Sequence, residues 1–108
     1  MVLVVEVYRV SQRWPAEETF GLRSQTRRAA VSIPSNVAES QGRSSEKEFL
    51  QFLSVSHGSL REVETQLLIA QRLSFFSDHD GEPLLRQTSE VGRLIQGLMR
   101  KLRRVAYN

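Results

Sequence analysis

Residues 46–75 read EKEFLQFLSVSHGSLREVETQLLIAQRLSF, and the spacing of the apolar residues in them decides the fold class. Phe49, Leu53, Ser56, Leu60, Val63, Leu67 and Ala70 advance by 4, 3, 4, 3, 4 and 3 positions. Side chains at that spacing share one stripe of an α-helix, and a stripe sustained this long marks helices packed nearly along one another. Ser44 or Ser45 is placed to cap the start, and Glu46 and Glu48 stand in the first turn, where the helix dipole favours carboxylates. At ~1.5 Å per residue the helix runs ~45 Å, and it is expected to be the longest element and the spine of the core.

Downstream, residues 83–106 repeat the pattern. Leu84, Thr88, Val91, Ile95, Leu98, Leu102 and Val105 again step by 4 and 3. Pro83 suits a first helical position, and basic residues gather in the last turns, as the dipole prefers. Residues 77–81 then form the turn between the two helices, and a short loop makes sequential helices antiparallel neighbours. Upstream, residues 20–42 form a helix with Leu22, Ala29, Ile33 and Val37 on one side. Pro34 lacks an amide proton, so it should kink or break that helix near Ala30, and Ser40 to Gly42 should end it. Residues 2–13 are valine-rich, but a lone strand in a helical chain has nothing to pair with, so a helix ending at Trp14 and Pro15 is expected. The reading is all-α: an antiparallel up-down-up-down four-helix bundle with a short first helix, one domain over residues 1–108.

The 108 residues suffice for one core, and 40% hydrophobic with 25% charged residues is an ordinary globular balance. The net charge of +3 is uneven along the chain. Residues 100–108 hold Arg100, Lys101, Arg103 and Arg104 and no acid. Arginine far outnumbers lysine, which suits bidentate phosphate or carboxylate contacts, although a GC-rich genome biases composition the same way. There is no cysteine, hence no disulfide frame or thiolate metal site, which fits a reducing cytoplasm. The apolar start is too short for a signal sequence, and no run approaches the ~18 apolar residues of a membrane span.

Two polar patterns stand out. At ~100° per residue, Gln25, Arg28, Ser32, Asn36 and Glu39 share a face beside the apolar stripe of their helix, and Ser59, Glu62 and Gln66 flank the seam at 46–75. Such stripes form either a hydrogen-bonded ladder at a helix or subunit boundary or a solvated surface. On the last helix, Arg86, Arg93, Arg100 and Arg104 are spaced 7, 7 and 4 apart, opposite the seam. With Lys101 and Arg103 they form a basic surface suited to nucleic-acid backbone contact without base readout; the alternative is a solvated face with Glu90 paired to Arg86.

No catalytic constellation is present, so an enzyme is not expected, nor a cofactor. Asp78, His79 and Asp80 read as a solvated turn rather than a metal site, because metals need convergent ligands. Ser56 and His57 are ~100° apart on a helix and cannot join Glu62 or Glu64 in a triad. Trp14, Phe20, Phe75 and Phe76 fall at helix ends, where aromatic rings plug a bundle more often than they stack on bases.

The run from Phe20 to Glu39, FGLRSQTRRAAVSIPSNVAE, and the block from Phe49 to Leu68 containing GSLREVETQL resemble the bacterial four-helix-bundle protein family. That family includes proteins encoded in intervening sequences of large-subunit rRNA genes and the accessory variability determinant of diversity-generating retroelements. The resemblance covers nearly the whole chain. It implies a homopentameric barrel and, in the retroelement branch, binding of RNA or DNA and of a reverse transcriptase through basic outer surfaces. It also favours the ladder, since all eight polar residues lie in the two blocks. The sequence departs from the family at Ser40, where glycine is usual, at His57, where a cation is usual, and in a first helix about ten residues shorter. That shortfall should leave apolar surface on a later helix, to be covered by upstream turns or by the oligomer.

Overall fold

A computed structural model describes residues 2–18, 21–42 and 45–107, without the side chains of 41, 106 and 107. Phe20 and Ser44 lie outside the described residues. Four α-helices follow one another: α1 (Val2–Ser11), α2 (Leu22–Gln41), α3 (Glu46–Arg72) and α4 (Asp78–Tyr107), with a 3-10 turn at Ala16–Glu18. α3 packs on α2 and on α4, and the short α1 packs on both α2 and α4, which closes the four-helix bundle. The described residues contain no strand, and the valine-rich start is helical as expected.

The seam of α3 is the centre of the core. Leu53, Ser56, Leu60, Val63, Leu67 and Ala70 are buried, and at the start Leu50 rather than Phe49 turns fully inward. Ser45 caps the helix, its hydroxyl accepting from the Glu48 amide at 3.2 Å. Buried hydroxyls close their bonds on backbone: Ser56 Oγ donates to the Ile33 carbonyl at 2.9 Å, tying α3 to α2, and Thr26 Oγ1 donates to the Leu22 carbonyl at 2.7 Å. Trp14 plugs one end, stacked on Phe76 at 6.0 Å between centroids and tilted against Phe75 at 5.9 Å.

Several expectations are corrected. α4, with 30 residues, is longer than α3, with 27. The reason is at its start. Ser77 Oγ accepts from the Asp80 amide at 3.2 Å, so residues 78–81 wind into the first turn instead of forming a loop, and Pro83 lies inside the helix rather than at its first position. Gly81 makes this possible, because a Cβ there would collide with the edge of the Phe76 ring. α2 runs unbroken from 22 to 41 through Pro34. Burial of Ala30 and Ile33 beside it holds the helix where the missing amide would have loosened it. On α4 the buried line drifts from Ile95 to Met99, leaving Leu98 and Val105 exposed. A straight helix turns 3.6 residues per turn, so a strict heptad row rotates out of the interface by ~20° per repeat.

Candidate functional site: a polar groove, a basic face and an arginine cleft

The two polar stripes meet. Gln25, Arg28, Ser32, Ser59, Glu62 and Gln66, with Ala29, line one open cleft of about 390 Å³ between α2 and α3. Ser32 Oγ and Ser59 Oγ are 2.8 Å apart, and Asn36 Nδ2 donates to Ser32 Oγ at 3.0 Å and to the Ser32 carbonyl at 2.8 Å. These bonds form a short cross-helix rung at the middle of the stripe. Away from it the stripe opens outward. Arg28 Nη2 donates to Ser24 Oγ at 2.9 Å, a bond within α2 that leaves α3 untouched. Gln66 Oε1 is buried without a hydrogen-bond partner. A buried amide oxygen lacking a donor is costly.

The basic residues of α4 divide into two sets. Arg86, Arg93, Arg100, Lys101 and Arg104 form the outer set, and its four arginines keep within ~40° of one another along ~27 Å of helix. Arg86 and Glu90 make no ion pair with each other. Arg103 turns to the α3 side, lining a cleft with Lys47, Glu48, Leu50, Gln51 and Ser54.

A third feature was not anticipated. Arg23 and Arg27, on the first turns of α2, reach across to the end of α1. Arg23 Nε donates to the Ser11 carbonyl at 2.9 Å, and its Nη2 donates to the carbonyls of Trp14 and Pro15. Arg27 Nε donates to Ser11 Oγ at 2.8 Å and its Nη2 to the Tyr8 carbonyl at 3.0 Å, with the guanidinium 4.5 Å over the Tyr8 ring. The Tyr8 and Ser11 carbonyls already accept the Gln12 and Trp14 amides, each at 3.1 Å, and the two arginines add second, charged donors at the end of α1. A signal was present in the order of residues. Cations are disfavoured in the first turn of a helix, so Arg23 there pointed to acceptors outside α2.

An apolar strip is also exposed. Leu94, Leu98 and Val105 lie within ~40° on α4, in line with the polar, half-buried Gln87. Gln87 shares a cleft with Glu6 and Arg9 of α1, whereas Leu94 is 74% and Val105 61% exposed beyond the reach of that short helix. Among the described residues no group of three or more His, Asp or Glu converges as metal ligands would, and no helix is long and apolar enough to cross a membrane. Asp78 Oδ1 accepts from Gln71 Nε2 at 3.1 Å, which holds the start of α4 against the end of α3.

A family model described as 23S rRNA-intervening sequence protein matches residues 1–97. No curated protein matches the chain.

Proposed function

This chain belongs to the 23S rRNA-intervening sequence protein family, and on that premise we propose that it is a non-enzymatic oligomer, a homopentamer, that holds the backbone of RNA or DNA on the outer face of α4. The observation that carries this reading is the row Arg86, Arg93, Arg100 and Arg104, flanked by Lys101, on the face turned away from the core. Guanidiniums on a solvent-facing row neutralise phosphates and release counterions without reading bases. The groove of Gln25, Arg28, Ser32, Ser59, Glu62 and Gln66, continued along α2 by Asn36 and Glu39, serves as the subunit boundary. Its central rung fixes register within the protomer, and the exposed Gln25, Arg28 and Glu62 offer hydrogen-bonding groups to a second copy.

Replacing Arg93, Arg100 and Arg104 with Gln tests the first part by filter binding across salt concentrations. The expected result is weaker binding to every sequence alike and a flatter dependence of log affinity on log salt. Wild type and triple variant with the same affinity and slope would remove the claim.

The uncovered strip Leu94, Leu98 and Val105 favours a second reading, a protein scaffold. Exposed apolar residues in a row suit a protein partner, and in the retroelement branch that partner is a reverse transcriptase. Neighbouring genes separate the branches: a reverse transcriptase with template and variable repeats supports one, and a location inside an rRNA gene the other.

A further inference from the structure

We infer that the cleft between α1 and α2 is a binding site for a phosphate-class oxyanion. It has a volume of about 320 Å³ and is lined by Tyr8, Arg23, Ser24, Arg27 and Arg28. Three guanidiniums and two hydroxyl side chains line it, and no acid does. Of the acids nearest in sequence, Glu6 is paired with Arg9 at 2.7 Å and Glu18 Oε2 accepts from the Leu22 amide at 2.9 Å.

The cations are positioned in advance. Arg23 and Arg27 are each fixed by bonds to the end of α1, and Arg27 is also stacked on Tyr8. A guanidinium carries five N–H donors, so Arg27 and Arg28 keep donors for the cleft beyond the bonds they make within the protomer. Little rotamer entropy is then lost when an anion arrives, which is the usual cost of recruiting long side chains. Arg23 sits in the first turn of α2, where the helix adds positive partial charge of its own, and Arg27 and Arg28 stand one turn further in. Like charges gathered this way repel, and a bound anion relieves the repulsion. A single carboxylate would neutralise one of three cations. A phosphate group carries more charge and presents oxygens on every side, matching several planar forks at once. The same chemistry is offered by two sources: inorganic phosphate or a phosphomonoester, and the phosphodiester backbone of RNA.

The site is independent of the α4 row, and its test uses inorganic phosphate as the first probe. Calorimetric titration of the wild-type protein with sodium phosphate, at ionic strength held constant with sodium chloride, should show saturable binding. The hydrogen bond Arg28 makes runs to Ser24 of its own helix rather than to α1. Arg28→Gln should therefore leave α1 in place and weaken phosphate by roughly tenfold or more, the effect of losing a charge-assisted bond. Arg61→Gln, which removes one exposed charge on α3, should leave phosphate affinity unchanged. A single-stranded RNA oligomer is then added as competitor. Displacement of phosphate identifies the backbone as a source, and simultaneous binding identifies a small phosphate; either supports the site. Because Arg28 also borders the groove between α2 and α3, a second readout uses no variant: the Nε–H resonances of Arg23 and Arg27 should shift on phosphate addition to the wild type. A heat signal that never saturates, or unmoved Arg23 and Arg27 resonances, or equal loss in Arg28→Gln and Arg61→Gln, overturns the inference.

Discussion

Leu60 and Gly92 make one pair whose energetics follow from a single distance. Leu60 on α3 is 3% exposed, and a Cβ built on Gly92 of α4 would stand 3.1 Å from Leu60 Cδ2. Leu60→Ala removes three buried carbons, worth about 0.8 kcal/mol each in transfer alone. The cavity adds to that, because its far wall is the bare backbone of Gly92, which has no side chain to swing into the space. The expected cost is about 3–4 kcal/mol. Gly92→Ala alone gains about 1 kcal/mol of helix propensity but crowds the leucine methyl, so its net effect should be near zero. In the Leu60→Ala background the crowding is gone. The alanine methyl then enters the cavity while the propensity gain remains, restoring about 1.5–2 kcal/mol. Urea denaturation of the four proteins at one protomer concentration measures the cycle, the concentration being fixed because assembly contributes to apparent stability. A favourable coupling of about 1–2 kcal/mol is expected, and effects that add to within about 0.5 kcal/mol would refute the close α3–α4 approach.

Three further outcomes are expected. Gly81→Ala should destabilise by about 1–3 kcal/mol although alanine is the better helix former, because its methyl displaces the Phe76 ring; an unchanged near-ultraviolet signal from Trp14 would contradict that. Glu39→Ala and Arg28→Ala should weaken assembly, read as smaller species by sedimentation, while leaving the protomer core intact, since neither side chain belongs to it; unchanged oligomer size in both variants would count against the groove as a boundary. Static light scattering at low micromolar concentration should find oligomers, because Leu94 and Val105 need cover, and a stable folded monomer there would disprove it.

The helical class and the order of the helices were legible because the α3 seam is periodic over its whole length, and periodicity depends only on local geometry. Failures came where one local rule met another. Residues 77–81 read as a turn, but Ser77 Oγ accepts from the Asp80 amide and Phe76 fits over Gly81, so the helix begins there instead. Pro34 reads as a kink or a break, and the break does not occur, because packing around Ala30 and Ile33 outweighs the lost amide. On α4 the heptad row holds from Leu84 through Thr88 to Ile95, all three buried, but it slips by one residue at Met99 as helical twist accumulates. The groove residues were legible as a stripe because both helices carry them in phase. Which of them touch was not, since the Ser32–Ser59 rung depends on how α2 and α3 are rotated against each other. The clamp of Arg23 and Arg27 on α1 escaped the periodic reading altogether, because most of its acceptors are backbone carbonyls, which leave no trace in side-chain spacing.

The arginine row and the apolar strip on α4 lie ~100° apart around the same helix, and they answer to salt in opposite senses. Added electrolyte weakens a phosphate contact by reducing the gain from counterion release. Sulfate and similar ions, excluded from protein surface, strengthen the covering of Leu94, Leu98 and Val105. Under the proposed function, one titration with ammonium sulfate should therefore move the two surfaces along diverging courses, with nucleic acid leaving as apolar association tightens. The proposal thus predicts that protein recovered from concentrated sulfate is assembled and free of backbone ligands, and that dilution restores their binding.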